Sequence, residues 1–308
     1  MPAKISVVIP VYNECENVQR IYQEAAELMK KENLYDWEVL FMDNHSTDGS
    51  YDQIEKLSKE DPRIRVIRLS RNFGYQTNIL TGYLHAKGDA VVQLDADGED
   101  DPALISSFLR YWEKGFKVVY GIRKSREESA LLSFQRKFFY RILQSVASIN
   151  LPMDAGDFRL LDRCVVTELK TFKEANAYLR GLISYIGFDQ IGIPYNRRKR
   201  YSGESKFSYW EYLKLAVDGV TSFSRKPLMI CAWLGLMISG LSFCAVIFYI
   251  WFHFFIGTRL PGFTTLILVQ FFLAGVQLMS IGLMGTYIGR IFDEVKSRPQ
   301  GIIETMTP

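Results

Sequence analysis

The sequence predicts an α/β fold: a doubly wound, mostly parallel sheet carrying amphipathic interface helices and a two-helix transmembrane hairpin. Three observations carry that expectation. Short β-branched runs alternate with stretches of helical periodicity through roughly the first hundred residues. Polar and acidic residues gather where those runs stop, the edge at which open α/β sheets bind ligands. Two long, almost uncharged stretches, 228–256 and 263–288, lie towards the end of the chain.

Residues 5–11 read as a first buried strand, followed by the loop Tyr12-Asn13-Glu14 and by Val18, Ile21, Ala25 and Leu28 at helical spacing. Residues 37–42 form a second strand. It runs into Asp43-Asn44-His45-Ser46-Thr47-Asp48-Gly49-Ser50, a loop rich in turn and N-cap residues, ahead of a helix carrying Ile54 and Leu57. A third strand at 65–69 leads through Arg71-Asn72-Phe73-Gly74 into a helix ending near Lys87. The fourth, 90–94, lies between Gly88 and Gly98, and 116–121 gives one more. Strand–helix alternation of this kind implies right-handed crossovers.

Two amphipathic stretches follow. Leu131, Phe138, Phe139, Ile142, Leu143 and Val146 make a core-packing stripe. Tyr209, Trp210, Leu213, Val217, Val220 and Phe223 precede the first apolar stretch and read as an interfacial helix. Each apolar stretch exceeds the roughly 20 residues that span a bilayer. The connector holds one arginine, Arg259, whereas Arg225, Lys226, Arg290, Lys296 and Arg298 flank the outer ends. That bias puts both termini in the cytoplasm of a multi-pass protein of the inner (plasma) membrane. The expected division is an α/β domain over 1–207, a juxtamembrane helix over 208–226, the hairpin over 227–290 and a tail over 291–308. Glycines at 235, 275, 282, 285 and 289, with Ser239, place small residues where spans can approach closely, either within the hairpin or between copies in a homo-oligomer.

The net charge of +3 over 308 residues gives no global argument for nucleic acid. Cys15, Cys164, Cys231 and Cys244 are too dispersed for a disulfide framework or a metal-ligand spacing, which fits a reducing compartment. The N-terminus enters the first strand without signal-peptide architecture, so the first domain is expected to stay in the cytosol.

The chemistry gathers at the strand ends. Asp95 and Asp97 close the fourth strand, and convergent carboxylates suit a hard divalent cation, which in turn suits a diphosphate. Glu14, Asp43 and Asn72 follow the first three strands; a carboxylate there can accept from a base N–H or a ribose hydroxyl. Each alone could equally be a helix cap or a turn residue. Together, in order on one sheet edge, they point to a nucleotide site.

Residues 8–14, the 43–50 loop, Arg71-Asn72-Phe73-Gly74 and Asp95-Ala96-Asp97 resemble glycosyltransferase family 2, in its dolichyl-phosphate mannose synthase and bactoprenol glucosyltransferase branch. The likeness extends through Asp154-Ala155-Gly156-Asp157-Phe158-Arg159-Leu160 and residues 200–207, and so covers nearly the whole chain. It implies a GT-A catalytic domain and inverting transfer of one sugar from a nucleotide sugar to a polyisoprenyl phosphate. By that resemblance Pro10, Tyr12, Glu14 and Asp43 hold the nucleotide. Asp95 and Asp97 bind Mg²⁺ or Mn²⁺ and the diphosphate, and Asp157 sits where a catalytic base is expected. Two departures stand out. Gly98-Glu99 replaces the usual Leu-Gln, making Glu99 a candidate extra metal ligand. Asn44-His45 replaces the usual Asp-Gly, and no partner for His45 is visible in the sequence.

A lipid phosphate needs cations, and Arg123, Arg136, Arg200 and Lys206 lie between the sheet and the apolar stretches; Ser205 falls in the same motif. Arg197 to Lys199 read instead as a solvated or headgroup-facing basic face. A phosphate acceptor is mostly dianionic at neutral pH. Asp157 is therefore expected to orient it through Arg159 or another cation rather than to remove a proton. Bacterial two-span members of this branch favour UDP-glucose as donor. The alternatives are GDP-mannose, or an inactive membrane scaffold; a processive polysaccharide synthase is disfavoured because the chain has no Gln-x-x-Arg-Trp motif.

Overall fold

The computed structural model describes residues 2–123, 155–174, 177–198, 226–256 and 262–307. The chain divides into two compact units. One comprises the α/β residues together with 297–308, and the other holds the two long apolar helices.

The α/β unit is built on one eight-stranded mixed sheet. Its strands are β1 (Lys4–Val11), β2 (Asp36–Asp43), β3 (Ile64–Leu69), β4 (Ala90–Gln93), β5 (Val118–Arg123), β6 (Ala155–Asp162), β7 (Gln190–Tyr195) and β8 (Ile303–Met306). In spatial order they run β7-β5-β6-β4-β1-β2-β3-β8. Strands β4, β1, β2 and β3 are parallel, as the strand–helix alternation requires. Helices α1 (Cys15–Lys31), α2 (Ser50–Glu60), α3 (Tyr75–His85) and α4 (Leu104–Glu113) connect or flank them, followed by α5 (Arg163–Leu169) and α6 (Leu179–Ile186). Two buried clusters cover the two faces of the sheet. One is built around Ile9, Phe41, Phe108 and Phe158, the other around Val8, Met42, Tyr83 and Leu161. Gly82 lets α3 sit directly on the sheet: a Cβ there would lie 2.4 Å from Val8 Cγ1 and 2.8 Å from Met42 Cγ.

The mixed character comes from strands that short sequence windows do not reveal. β6 inserts antiparallel between β4 and β5, and β7 pairs parallel with β5 beyond it. The end of the chain, expected as a tail, supplies β8, which pairs antiparallel with β3 and gives the sheet its outer edge. Thr307 adds a backbone bond to Val66 and a hydroxyl that accepts from the Val66 N–H at 2.8 Å.

In the second unit, α7 (Lys226–Ile256) and α8 (Phe263–Lys296) are long and apolar enough to cross a membrane, with mean hydropathy of 2.0 over Leu228–Ala245 and 1.6 over Val269–Lys296. No residue of either window is buried. Gly235, Gly275, Gly282, Gly285 and Gly289 have nothing within 4 Å of a notional Cβ, so they do not form a close helix–helix contact inside the hairpin. Both amphipathic stretches, 131–146 and 209–223, lie outside the described residues.

Candidate functional site

The topology brings one set of chain ends together. Parallel β1, β2 and β4 release their loops at one edge of the sheet, and antiparallel β6 begins at that same edge. β5, antiparallel to β6, ends there too, with Arg123 as its last residue.

The loops after β1 and β2 are tied to each other. The Asn13 N–H donates to Ser46 Oγ at 3.0 Å, Thr47 N–H to Asn13 Oδ1 at 2.9 Å, and Glu14 N–H to Ser50 Oγ at 3.0 Å. Pro10 is buried in β1, beyond the last β4 pairing at Val8, so its missing N–H costs the sheet no bond on that side. Tyr12 stands exposed in the loop, and Glu14 accepts from Asn17 Nδ2 at 2.5 Å. Asp43 is fully buried: Oδ1 accepts from the Ser46 N–H at 3.0 Å, while Oδ2 has no hydrogen bond and lies 3.6 Å from Arg68 Nε. Burial raises the Asp43 pKa, against the Ser46 bonds and the charge of Arg68. Asn72 is locked to the β2 loop, its Oδ1 accepting from Asn44 Nδ2 and from the Gly74 N–H, both at 2.8 Å.

His45 does have partners. Its φ of +66° explains why glycine is usual there. Its Nδ1 lies 3.2 Å from the Leu69 carbonyl and 3.5 Å from Glu304 on β8, a carboxylate that also reaches Arg68 at 3.1 Å.

The acidic centre follows β4. Asp95 Oδ1 accepts from the Tyr75 hydroxyl at 2.6 Å and from Gln93 Nε2 at 2.7 Å. Asp97 Oδ1 accepts from the Glu99 N–H at 3.1 Å. Burial, then the neighbouring carboxylates of Asp100 and Asp97, push the Asp95 pKa up to about 7. Among the described residues no three His, Cys, Asp or Glu side chains form a ready-made cation cage. Even so, Asp97 and Asp100 crowd negative charge against the buried Asp95, charge that a hard divalent cation would relieve, so the donor set fits Mg²⁺ or Mn²⁺. Glu99 is committed elsewhere, to an ion pair with Arg197. Arg197 also approaches the buried Asp100 at 3.4 Å, and Arg198 pairs with Asp101 at 2.7 Å and Glu24 at 3.2 Å. These two arginines therefore brace acidic side chains, and the basic face expected of them is absent at 197–198.

The cationic centre is one strand away. Asp157 on β6 is held bidentately by Arg180 of α6: Nε donates to Oδ1 and Nη2 to Oδ2, both at 2.8 Å. Arg159 Nη2 lies 3.8 Å from the same carboxylate and donates to the Gly156 carbonyl at 2.7 Å. Burial works to raise the Asp157 pKa, but Arg180, with Arg159 and Arg123 behind it, overrides that and holds it at about 2. Gly156 makes room for Arg123 rather than for an open approach: a Cβ there would lie 3.1 Å from Arg123 Nη2. Arg123 in turn bonds to Tyr195, whose hydroxyl donates to the buried Asp100.

Of the residues read from sequence, Pro10, Tyr12, Glu14, Asp43, Asn72, Asp95, Asp97, Glu99, Arg123, Asp157 and Arg159 fall in loops or strands bordering this edge. Arg136, Arg200, Ser205 and Lys206 lie outside the described residues. Sequence reasoning missed Tyr75, Gln93, Asp100, Arg180 and Tyr195. Asp100 and Gln93 flank the aspartate pair and could have been found by proximity. Arg180, in Tyr178-Leu179-Arg180-Gly181, carries no local signal; only the fold, which sets α6 against α5 and brings Arg180 to Asp157, reveals it.

Comparison with known proteins agrees with this geometry. Residues 6–169 match the model of the family described as Glycosyl transferase family 2. An uncharacterized glycosyltransferase, YkcC, of Bacillus subtilis is 40% identical over 97% of this chain and 93% of its own length. The SfII prophage-derived bactoprenol glucosyl transferase of Shigella flexneri is 34% identical, over 98% and 97% respectively. Among solved structures, the mannosyltransferase PcManGT from Pyrobaculum calidifontis, in complex with GDP-Man and Mn²⁺, superposes with a TM-score of 0.52 at 15% identity, covering 96% of this chain and 86% of that one. At that identity the likeness concerns the fold alone, a GT-A arrangement.

Proposed function

The chain belongs to glycosyl transferase family 2, and on that premise we propose that it transfers one hexose, glucose from UDP-glucose, to undecaprenyl or a similar polyprenyl phosphate at the cytoplasmic face of the membrane. The observation that carries the reading is an acidic centre at the end of β4 beside a cationic centre on adjacent β6. The first suits a metal-bound diphosphate and the second a phosphate. Full-length relatives named bactoprenol glucosyl transferases supply the choice of acceptor and sugar, and two unburied apolar helices suit an enzyme whose acceptor tail stays in the bilayer.

In this reading Pro10, Tyr12, Glu14 and Asp43 line the nucleoside, with Asn72 holding its loop in place. Asp95 and Asp97 would hold Mg²⁺ or Mn²⁺, which when bound neutralises the diphosphate. An oxygen of the acceptor phosphate forms the new bond to the anomeric carbon from the face opposite the diphosphate. The bond to the diphosphate oxygen breaks, UDP leaves with the electron pair, and the configuration inverts. Asp157, an anion with a pKa of about 2, makes a poor proton acceptor and acts by organising the arginines around it.

The test is transfer of radiolabelled sugar to polyprenyl phosphate by the full-length protein in nanodiscs, across UDP-glucose, UDP-galactose, UDP-N-acetylglucosamine and GDP-mannose. Turnover with UDP-glucose and polyprenyl phosphate is expected. Turnover only with GDP-mannose overturns the donor assignment, and no turnover with any donor overturns the reading.

A further inference from the structure

We propose that Arg180 is the residue that grips the acceptor phosphate, and that Asp157 serves to present it. The inference rests on the acceptor being a phosphate, as proposed above.

A guanidinium has two edges able to make paired hydrogen bonds, one through Nε and Nη2 and one through Nη1 and Nη2. Asp157 occupies the first edge with two bonds of 2.8 Å. The second edge keeps three N–H donors in a fixed plane, the fork that suits two oxygens of a phosphate. The side chain is 32% exposed, whereas Arg159 is buried at 6% and donates to the Gly156 carbonyl. Of the two arginines that touch Asp157, then, Arg180 is the one open to a ligand.

Charge points the same way. Arg159 and Arg180 both lie against the Asp157 carboxylate, two cations to one anion, which leaves a positive charge in excess where a phosphate carries about −1.5 to −2. Asp157 alone would repel such a dianion. With Arg180 between them the carboxylate instead fixes the rotamer of a long side chain, removing entropy that binding would otherwise have to overcome. Position adds a third argument. Arg159, which approaches Asp157, is the β6 residue paired with Gln93 of β4, and Gln93 donates to Asp95, so the Asp157–Arg180 pair borders the acidic centre through adjacent strands.

The experiment uses the full-length protein in nanodiscs with UDP-glucose and a C55 polyprenyl phosphate. Arg180→Gln is expected to raise the acceptor KM by about 10- to 150-fold, the worth of a hydrogen bond to a charged group, with the donor KM within about threefold of wild type. Arg180→Lys, which keeps the charge and loses the fork, should fall between them. Because Arg180→Gln also leaves Asp157 buried without its partner, the double variant Asp157→Asn/Arg180→Gln is measured beside it. If the double variant recovers the melting temperature and still shows the raised acceptor KM, Arg180 binds the acceptor. If it recovers both, Arg180 only balances Asp157 and the proposal is overturned. An unchanged acceptor KM in Arg180→Gln overturns it as well. Failure of the wild type to glycosylate polyprenyl phosphate would instead sink the functional reading, an outcome visible before any variant is made.

Discussion

Gln93 of β4 stands directly opposite Arg159 of β6 in the antiparallel register. Asp95 comes two residues after Gln93, just past the end of β4, and Asp157 two residues before Arg159 on β6, so both carboxylates lie toward the same end of the adjacent strands. Side chains two apart lie on the same face of a sheet, which is why Gln93 can donate to Asp95 and Arg159 can approach Asp157. The insertion of β6 between β4 and β5 thus brings Asp157 and Arg159 beside the acidic centre.

Asp97→Asn should abolish transfer while leaving the melting temperature no lower than wild type. The residue follows the end of β4, where a neutral isostere loses little packing, whereas a lost cation ligand removes several kcal/mol of charge stabilisation. Wild type treated with EDTA should behave like the variant, and excess Mg²⁺ or Mn²⁺ should rescue only the wild type. Full activity of Asp97→Asn in EDTA would contradict this.

Asp95 makes a prediction about pH. Its pKa in the folded protein is about 7, above the unfolded value near 3.9, so the protonated form is the one that favours folding. That contribution is fully present below about pH 4 and is lost as pH rises through 7. In metal-free buffer, wild type should therefore lose stability relative to Asp95→Asn between pH 4 and 8. Adding a divalent cation at pH 8 should raise the melting temperature of wild type more than that of the variant. Thermal scans across pH, with and without the cation, check both parts; a constant gap would show that the carboxylate is not strained.

Asp157→Asn tests orientation against proton removal. The acceptor's own second pKa lies near 6, and Asp157 is ionised far below that. The acidic limb of the pH–rate profile, measured at saturating donor and metal, should survive in Asp157→Asn at reduced amplitude. If the limb vanishes and the defect shrinks steadily with rising pH, the residue is a general base.

Removing residues 303–308 should cost stability beyond what a disordered tail would. β8 caps the outer edge of β3, and Glu304 holds Arg68 and His45 beside Asp43. An exposed parallel-sheet edge invites pairing with other chains. Lower melting temperature and concentration-dependent association by light scattering are expected; Glu304→Gln, which keeps the strand, should leave association unchanged.

The sequence by itself determined the elements whose cause is local. Runs such as 5–11 and 90–94 are mostly apolar and rich in Val and Ile, as a strand buried on both faces tends to be, and they hold strands β1 and β4. The polar loops behind them mark the ligand edge because a parallel sheet puts those ends side by side. Hydrophobic length alone announced α7 and α8. Tertiary structure decided what depends on partners distant in the chain. β8 holds its place by pairing with β3 more than 230 residues earlier, and four residues of Ile-Glu-Thr-Met carry no strand signal against a polar background. Glu99, read as free to bind metal, is taken by an arginine 98 positions away, and His45 finds its carboxylate on β8. Arg180 is the sharpest case. Nothing in its neighbourhood separates it from any surface arginine, and its meaning comes from Asp157, 23 residues earlier, brought within 2.8 Å when α6 packs against α5. Local propensity records what a residue is. Only the closed fold records what it faces.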